Sequence, residues 1–592
     1  MSIEIIIVLA VLVISITLFI TELLPVDIVS MLIVAVLIFS GILNMEEGFA
    51  GFGNEGTITI AAMFILSTGL SRTGLIVYVG RLIKKAFQIN YKIAGAFTLI
   101  IAGFISAFIN NTPVVAIFLP LLLQLSEQSN FSSSKILLPL SYASIFGGVC
   151  TLIGTSTNIV VSSIAVKLGE PAFSLFEITP VGLFFFATGF VYLLFIGIRM
   201  LPERKPVKDL AEGFGLADYL TEIILTKDSN SVNIRLKDSP LVKNMGVEVL
   251  EIIRGNNSRF IPTANTHLNE DDRLLVKTKL DVIKEFKETS GILIKPGLKW
   301  ADSLTSVGDI LLLEAIVAPH SFLIGKSLKQ VHFRHRFNSI VLALRHRGRL
   351  IRDKITEVKL LSGDSLLLEI NKDEIDKLKE GDAFVFLSKV EPPSFIKSKI
   401  VISLLTIVGV VLLATFNILP IGVSAFCGSI VLILTRCITL EQAYNAIDWK
   451  IIFLLAGSLS LGTALQKTGA ANSISESIVY LAGKESPLIV LSVFYLVTLI
   501  LTEVMSNTAT AALITPIAIV TAHSLGVDPR PFLVAVMFAA SLAFMSPVGY
   551  QTHLLVFNPG GYKVIDFIKV GTPLNILFWI LATFLIPVFF PF

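Results

Sequence analysis

AFINNTPVVAIFLPLLL, residues 107–123, places Asn110, Asn111, Thr112 and Pro113 in the middle of an apolar run, 94–125. The run is too long for one crossing of a ~30 Å hydrocarbon core and too short for two comfortable ones. A helix–turn–helix hairpin that enters and leaves on the same side satisfies both limits. EVMSNTATAALITPIAI, residues 503–519, repeats the pattern inside 485–523, with Ser506, Asn507 and Thr508 at its tip. Two further pairs follow in the same order: STGLSRTGL (67–75) with LGTALQKTGA (461–470), and LIGTSTNIVV (152–161) with PVGYQTHLLV (547–556). All three pairs stand roughly 395 positions apart, so the chain reads as an internal duplication.

Composition agrees with a membrane body. The 592 residues are 54% hydrophobic and 15% charged, with a net charge of +3. Of the 91 Lys, Arg, Asp and Glu residues, about 60 lie between Arg199 and Ser398. Outside that stretch, apolar segments fall near 4–24, 26–43, 57–80, 94–125, 136–166 and 176–198, then 399–419, 421–437, 450–470, 485–523, 530–557 and 571–591. The expected fold is an α-helical polytopic membrane protein with a charged α+β insert. The domains are a first membrane repeat (1–198, hairpin 94–125), two insert lobes (207–290 and 299–390) and a second repeat (399–592, hairpin 485–523). MSIEIIIVLAVLVISITLFITELLP, residues 1–25, has no basic start or small-residue cleavage site and reads as a retained first helix.

Each half holds about five crossings and one hairpin, so the second copy lies upside down, an inverted repeat. Lys and Arg favour cytoplasmic loops. Arg81, Lys84, Lys85 and Lys92, with Arg199, Arg204, Lys205 and Lys208, therefore place the insert and the first hairpin inside. The second hairpin and both termini fall outside.

The hairpin tips carry the chemistry. Backbone at membrane depth must be buried in protein or line a wet cavity. Helix N-termini there favour anions, and C-terminal carbonyls favour cations. Ser106 and Thr502, four residues before each tip, offer hydroxyls either to a cation shell or back to the preceding turn. Gly154-Thr155-Ser156-Thr157-Asn158 and Gly549-Tyr550-Gln551-Thr552-His553 interrupt long apolar helices and complete a two-sided pocket at mid-membrane. His553 stands where the first repeat has Asn158. As a ligand, a proton-sensitive group or a packing histidine, its role stays open.

Other functions are excluded by what is missing. There is no Walker sequence, HExxH or GxSxG, so no enzyme is expected. Gly51-Phe52-Gly53-Asn54-Glu55-Gly56 fits GxGxxG, but no strand precedes it. Val548-Gly549-Tyr550 lacks the glycine of a potassium filter at Gln551. Small net charge gives no case for nucleic acid. Cys150, Cys427 and Cys437 have no metal or disulfide spacing.

In the insert, the lobes starting TEIILTKD (221) and DILLLEAI (309) share short β-rich runs. Each has a short helical stretch after SPLVKNM (239–245) or SFLIGKSL (321–328), and a late LLV or LLL strand. These lobes resemble tandem TrkA-C domains. The basic run from Arg334 to Arg349 reads as a solvated face, a site for an anionic nucleotide or a membrane-facing surface.

The paired triplets, the GTSTN and GYQT breaks and the repeat resemble the divalent anion:sodium symporter family, in its sodium/sulfate branch. The resemblance implies a homodimer in the plasma or inner membrane, an elevator-type mechanism and Na+ as coupling ion at two sites. Carried across, Ser106, Asn110, Asn111, Gly154 and Thr155 match one sodium site, and Thr502, Ser506, Asn507 and Gly549 the other. Thr112 and Thr508 with the asparagines match the anion contacts, joined by Thr157, Asn158, Thr552 and His553. This sequence departs from the pattern at Asn110, where the family has Ser, and at His553, where it has Asn. Sulfate is expected ahead of dicarboxylates. A TrkA-C-gated channel and a proton-coupled permease are the rival classes, and the lobes suggest a small-molecule regulator.

Overall fold

A helix survives in lipid because all its backbone groups are bonded within it, and apolar helices dominate the computed structural model. It describes residues 2–21, 23–73, 91–129, 132–204, 218–243, 247–255, 258–260, 262–279, 292–294, 310–319, 321–346, 349–351, 355–371, 378, 383–386, 397–416, 418–470, 486–547 and 549–592. Arg81, Lys84, Lys85, Lys205 and Lys208, on which the expected orientation leans, lie outside these residues, as does much of 280–309. The chain divides into a body (Met1–Pro206, Ala318–His320, Lys389–Phe592) and an insert (Val207–Val317, Ser321–Ser388).

The first half of the body contains α1 (Ile3–Thr21), α2 (Val26–Phe39), α3 (Met45–Phe49), α4 (Glu55–Arg72), α5 (Tyr91–Ser106), α6 (Asn111–Ser129), α7 (Leu137–Gly148), α8 (Ser156–Lys167) and α9 (Thr179–Met200). Among its described residues the insert carries two short helices, α10 (Pro240–Lys243) and α11 (Phe333–Phe337). The second half holds α12 (Lys397–Thr415), α13 (Ile421–Leu434), α14 (Leu440–Ala446), α15 (Trp449–Thr468), α16 (Pro487–Thr502), α17 (Asn507–Leu525), α18 (Arg530–Ser541), α19 (Gln551–Phe557) and α20 (Val564–Phe589). Among the described residues, α9, α15, α17 and α20 are long and apolar enough to cross a membrane by themselves, and eight shorter helices are apolar.

The halves share local detail. Asn44 and Thr439 each close a capping box, with Glu47 and Gln442, at the start of α3 and α14. Asn54 and Asp448 cap α4 and α15. The GxGxxG look-alike is therefore a helix start. Pro120 and Pro516 sit inside α6 and α17 at the repeat offset.

Packing crosses between the halves. α2 packs on α15 as α13 packs on α4, and α8 packs on α17 as α19 packs on α6. α7 is buried along its whole length, and α18 from Pro531 to Ser541. α9, α12 and α20 instead expose large apolar side chains such as Phe184, Leu405 and Phe584. Water would penalise that surface, whereas hydrocarbon does not.

The insert contains two five-stranded antiparallel sheets. Strands β1 (Asp218–Leu225), β2 (Glu248–Arg254), β3 (Ser258–Phe260), β4 (Arg273–Lys279) and β5 (Ile292–Ile294) lie in the order β3-β2-β4-β1-β5. Strands β6 (Ile310–Val317), β7 (Ser339–His346), β8 (Arg349–Ile351), β9 (Ser365–Asn371) and β10 (Phe384–Phe386) lie in the order β10-β6-β9-β7-β8. Read in reverse, the second order is the first. Even the bulge recurs, at Val249/Glu251 in β2 and Val341/Ala343 in β7. One expectation needs correction. The first helical stretch, α10, lies within SPLVKNM rather than after it. The bridges Arg235–His267 and Ser327–Lys359 show the cause: SPLVKNM corresponds to the segment around Phe333, not to SFLIGKSL.

Candidate substrate and cation site

The first tip is built where α5 ends and α6 begins. Ser106, the last residue of α5, donates from Oγ to Asn111 Oδ1 at 2.6 Å. Asn110 bridges the gap, its Oδ1 accepting from Thr112 N (3.4 Å) and its own N–H reaching Ser67 Oγ on α4 (3.4 Å). The second tip repeats the main bond: Thr502 Oγ1 donates to Asn507 Oδ1 at 3.2 Å, and also contacts the Ala540 carbonyl at 2.9 Å. Ser506 caps α17 by accepting from Ala509 N at 3.3 Å. Among the described residues neither hydroxyl bonds back to the preceding turn: Ser106 reaches Asn111, and Thr502 reaches Asn507 and the Ala540 carbonyl.

Each helix break is tied to its tip. Thr151 Oγ1 donates to the Ala107 carbonyl and accepts from Gly154 N at 3.1 Å. In the second half, Glu503 takes this part. Its Oε1 accepts from Phe544 N (2.9 Å), Met545 N (3.0 Å) and Asn575 Nδ2 (2.7 Å), and its Oε2 from Ser546 N (2.8 Å). After each break, the first turn folds back in the same way. Asn158 Nδ2 donates to the Thr151 carbonyl at 3.0 Å, and His553 Nδ1 to the Ser546 carbonyl at 3.1 Å. A carbonyl only accepts, so Nδ1 carries the proton. His553 Nε2 is buried without a partner among the described residues, between the rings of Tyr142 and Phe567 (centroids at 5.2 and 5.4 Å).

Tip and break also meet across the halves. Asn111 Nδ2 donates to Tyr550 Oη at 2.6 Å, and Thr155 Oγ1 lies 3.2 Å from the same oxygen. Thr112 Oγ1 donates to Gln551 Oε1 at 3.2 Å. Asn110, Ser67 and Ser156 line a small pocket with Phe64, Phe108 and Ile153.

The expected residues therefore separate into two groups. Ser106, Asn110, Asn111, Thr112, Gly154 and Thr155 gather at the first tip, and Thr502, Ser506, Asn507 and Gly549 with Glu503 at the second. Thr508 opens α17 beside Asn507. Asn158 and His553 are engaged in the folds just described. Thr552 accepts from Ser141 on α7 at 2.8 Å, and Thr157 is buried in the first turn of α8. Tyr550 and Gln551 lie inside the break named from the sequence, without a contact assigned to either, and Glu503 was given no role. An ionisable residue inside an apolar run was the available signal for Glu503.

Hydroxyl and amide oxygens stand together at the C-terminal ends of α5 and α16, a donor set that suits a hard cation. The first N–H groups of α6 and α17 lie beside them and suit an anion. No group of three or more His, Cys, Asp or Glu able to hold a metal occurs among the described residues.

Residues 16–528 match the family model described as citrate transporter. The chain belongs to that family. It is 37% identical over 582 residues to an uncharacterized transporter of Synechocystis, covering 96% of this chain and 94% of the relative. It is 32% identical to the uncharacterized transporter YfbS of Escherichia coli over the full length of both. Sodium/sulfate cotransporter 2 of Chlamydomonas reinhardtii is 24% identical, over 92% of this chain and 85% of that protein. Membership in the citrate transporter family makes the chain a multi-pass membrane transporter of an anion, and not an enzyme.

Proposed function

We propose that this transporter is a sodium-coupled symporter of a small divalent oxyanion, sulfate ahead of dicarboxylates. The observation that carries the reading is the duplicated tip. In each half a hydroxyl at one helix end binds the amide oxygen of an asparagine that opens the next helix. Cation-type and anion-type ends therefore stand side by side, twice.

The mechanism follows from charge. A dianion does not cross hydrocarbon alone, and neither tip motif contains Lys or Arg. Two sodium ions supply the compensation, one held around Ser106, Asn110, Asn111, Gly154 and Thr155, the other around Thr502, Ser506, Asn507 and Gly549. Anion oxygens meet Asn110, Asn111, Thr112, Ser506, Asn507 and Thr508, with Thr157, Asn158, Thr552 and His553 in the next layer. The two membrane repeats, 1–198 and 399–592, are inverted copies with re-entrant hairpins, and a transport portion moves against a scaffold in an elevator step within a homodimer. The lobes at 207–290 and 299–390 are cytoplasmic TrkA-C-like domains that take a small-molecule regulator. Distant relatives named as sodium/sulfate cotransporters support the ion and the anion.

A sodium-coupled di- or tricarboxylate transporter is the second reading, favoured by the citrate description of the family. The test is uptake of labelled sulfate into proteoliposomes, with sodium replaced by potassium and with succinate and citrate as competitors. Sodium-driven sulfate uptake is expected. Uptake indifferent to sodium would overturn the coupling, and stronger inhibition by succinate than by unlabelled sulfate would move the substrate to carboxylates. The double variant Asn111→Ala with Asn507→Ala is expected to fold and to lose transport.

A further inference from the structure

The two tips are alike in sequence pattern but not in charge. Glu503 stands between Thr502 and Ser506, and the first repeat has Ala107 at that place. Among the described residues the four groups that bond its carboxylate are donors: three consecutive backbone N–H groups and the Asn575 amide. They complement a carboxylate anion, since a protonated acid would turn an O–H toward an N–H.

The two glycines of the breaks locate this charge. A Cβ built on Gly154 would stand 3.0 Å from the Ala107 carbonyl oxygen, and one built on Gly549 would stand 3.1 Å from Glu503 Oε2. Corresponding glycines thus face corresponding residues, through a backbone carbonyl in one half and a side-chain carboxylate in the other.

We infer that the Glu503 carboxylate, held by these donors, makes the second cation site bind sodium more tightly than the first. The inference rests on the sodium-coupled reading above. Glu503 acts as a positioning residue: it holds the Phe544–Ser546 backbone against the second tip and adds a field that Ala107 does not supply. A unit charge within several ångströms, in surroundings less polarisable than water, shifts cation affinity by about tenfold or more.

The test uses the full chain in proteoliposomes and whichever of labelled sulfate or succinate the wild type accumulates. Glu503→Gln removes the charge, and Asn575→Ala removes one donor while keeping it. Expected is a rise of about tenfold in half-saturating sodium for Glu503→Gln. The sodium curve of Asn575→Ala, which keeps the charge, stays near wild type. An unshifted sodium curve in Glu503→Gln overturns the inference, as does an equal shift in Asn575→Ala, which would mark a merely structural role. Calorimetric sodium titration of the wild type without anion decides the matter if Glu503→Gln does not fold. Two binding events of unequal affinity are expected, and two equal events overturn the inference. Sodium-indifferent uptake in the wild type would sink the coupling itself, whereas sodium-driven uptake with an unshifted Glu503→Gln sinks only the role of Glu503.

Discussion

Asn111 and Tyr550 stand 439 positions apart, yet Asn111 Nδ2 donates to Tyr550 Oη at 2.6 Å. The bond joins the first hairpin tip to the break of the second half, and Thr155 approaches the same phenol oxygen. Asn111 is fully buried, so its amide hydrogens have no water to fall back on.

Tyr550→Phe keeps the ring and removes that acceptor. A buried donor left unpaired costs about 1–3 kcal/mol. The expected result is a protein of lower thermal stability whose anion KM rises about tenfold. Uptake kinetics and melting of the same preparation check it. Unchanged values in both would show that the bond does not hold the tip.

Gly148→Ala tests the tip from behind. A Cβ at Gly148 would collide with Asn111 Oδ1 and lie 3.0 Å from Asn111 Nδ2. The obstacle is a side chain, so Asn111 yields and loses its bonds to Ser106 and Tyr550, while the α7 backbone stays in place. Expected is a folded protein with uptake reduced at least about tenfold, corresponding to roughly 1.4 kcal/mol or more. Uptake near wild type would count against Asn111 as a binding residue.

His553 and Asn158 make the same bond, each to the carbonyl seven residues earlier. His553 therefore serves as the second half's version of Asn158. His553→Asn is expected to keep the fold and the sodium-driven uptake, at a cost of about 1–3 kcal/mol for the lost ring packing. Uptake driven by a pH gradient in the wild type and lost in His553→Asn would instead favour proton coupling.

Much of this was legible in the chain. The triplets 110–112 and 506–508, the breaks near 154 and 549 and the two lobes all follow from periodicity, glycine and polar residues in apolar runs. What was not legible depends on long-range closure. Nothing local says that Tyr550 would reach Asn111 or that Ser141 would take up the Thr552 hydroxyl, because those pairs exist only after the halves interlock. Glu503 lay inside a quoted motif, but its role needed three N–H groups from a segment forty residues away. The lobe alignment failed for a related reason. SPLVKNM and SFLIGKSL look alike as strings, whereas the true register is fixed by bridges to residues 267 and 359.

That register exposes one substitution worth testing. Asp272 and Asp364 occupy equivalent buried positions before β4 and β9, and each accepts the N–H three residues earlier, from Asn269 and Leu361. Their side-chain partners differ. Arg254 grips both oxygens of Asp272, at 2.7 and 2.6 Å, whereas His346 Nδ1 meets Asp364 Oδ2 at 2.8 Å. Arg254→Ala strips Asp272 of its cation while the carboxylate stays buried, and breaking such a pair from one side costs about 3–5 kcal/mol. Arg254 is itself partly exposed, so the lower end of that range is expected. Limited proteolysis of the full chain should show earlier cleavage between β1 and β4, with the second lobe retained. The double variant Arg254→Met with Asp272→Leu removes both charges and should recover most of the loss. Failure of the double variant to recover would mean that the Asn269 N–H bond, rather than the ion pair, holds the lobe closed.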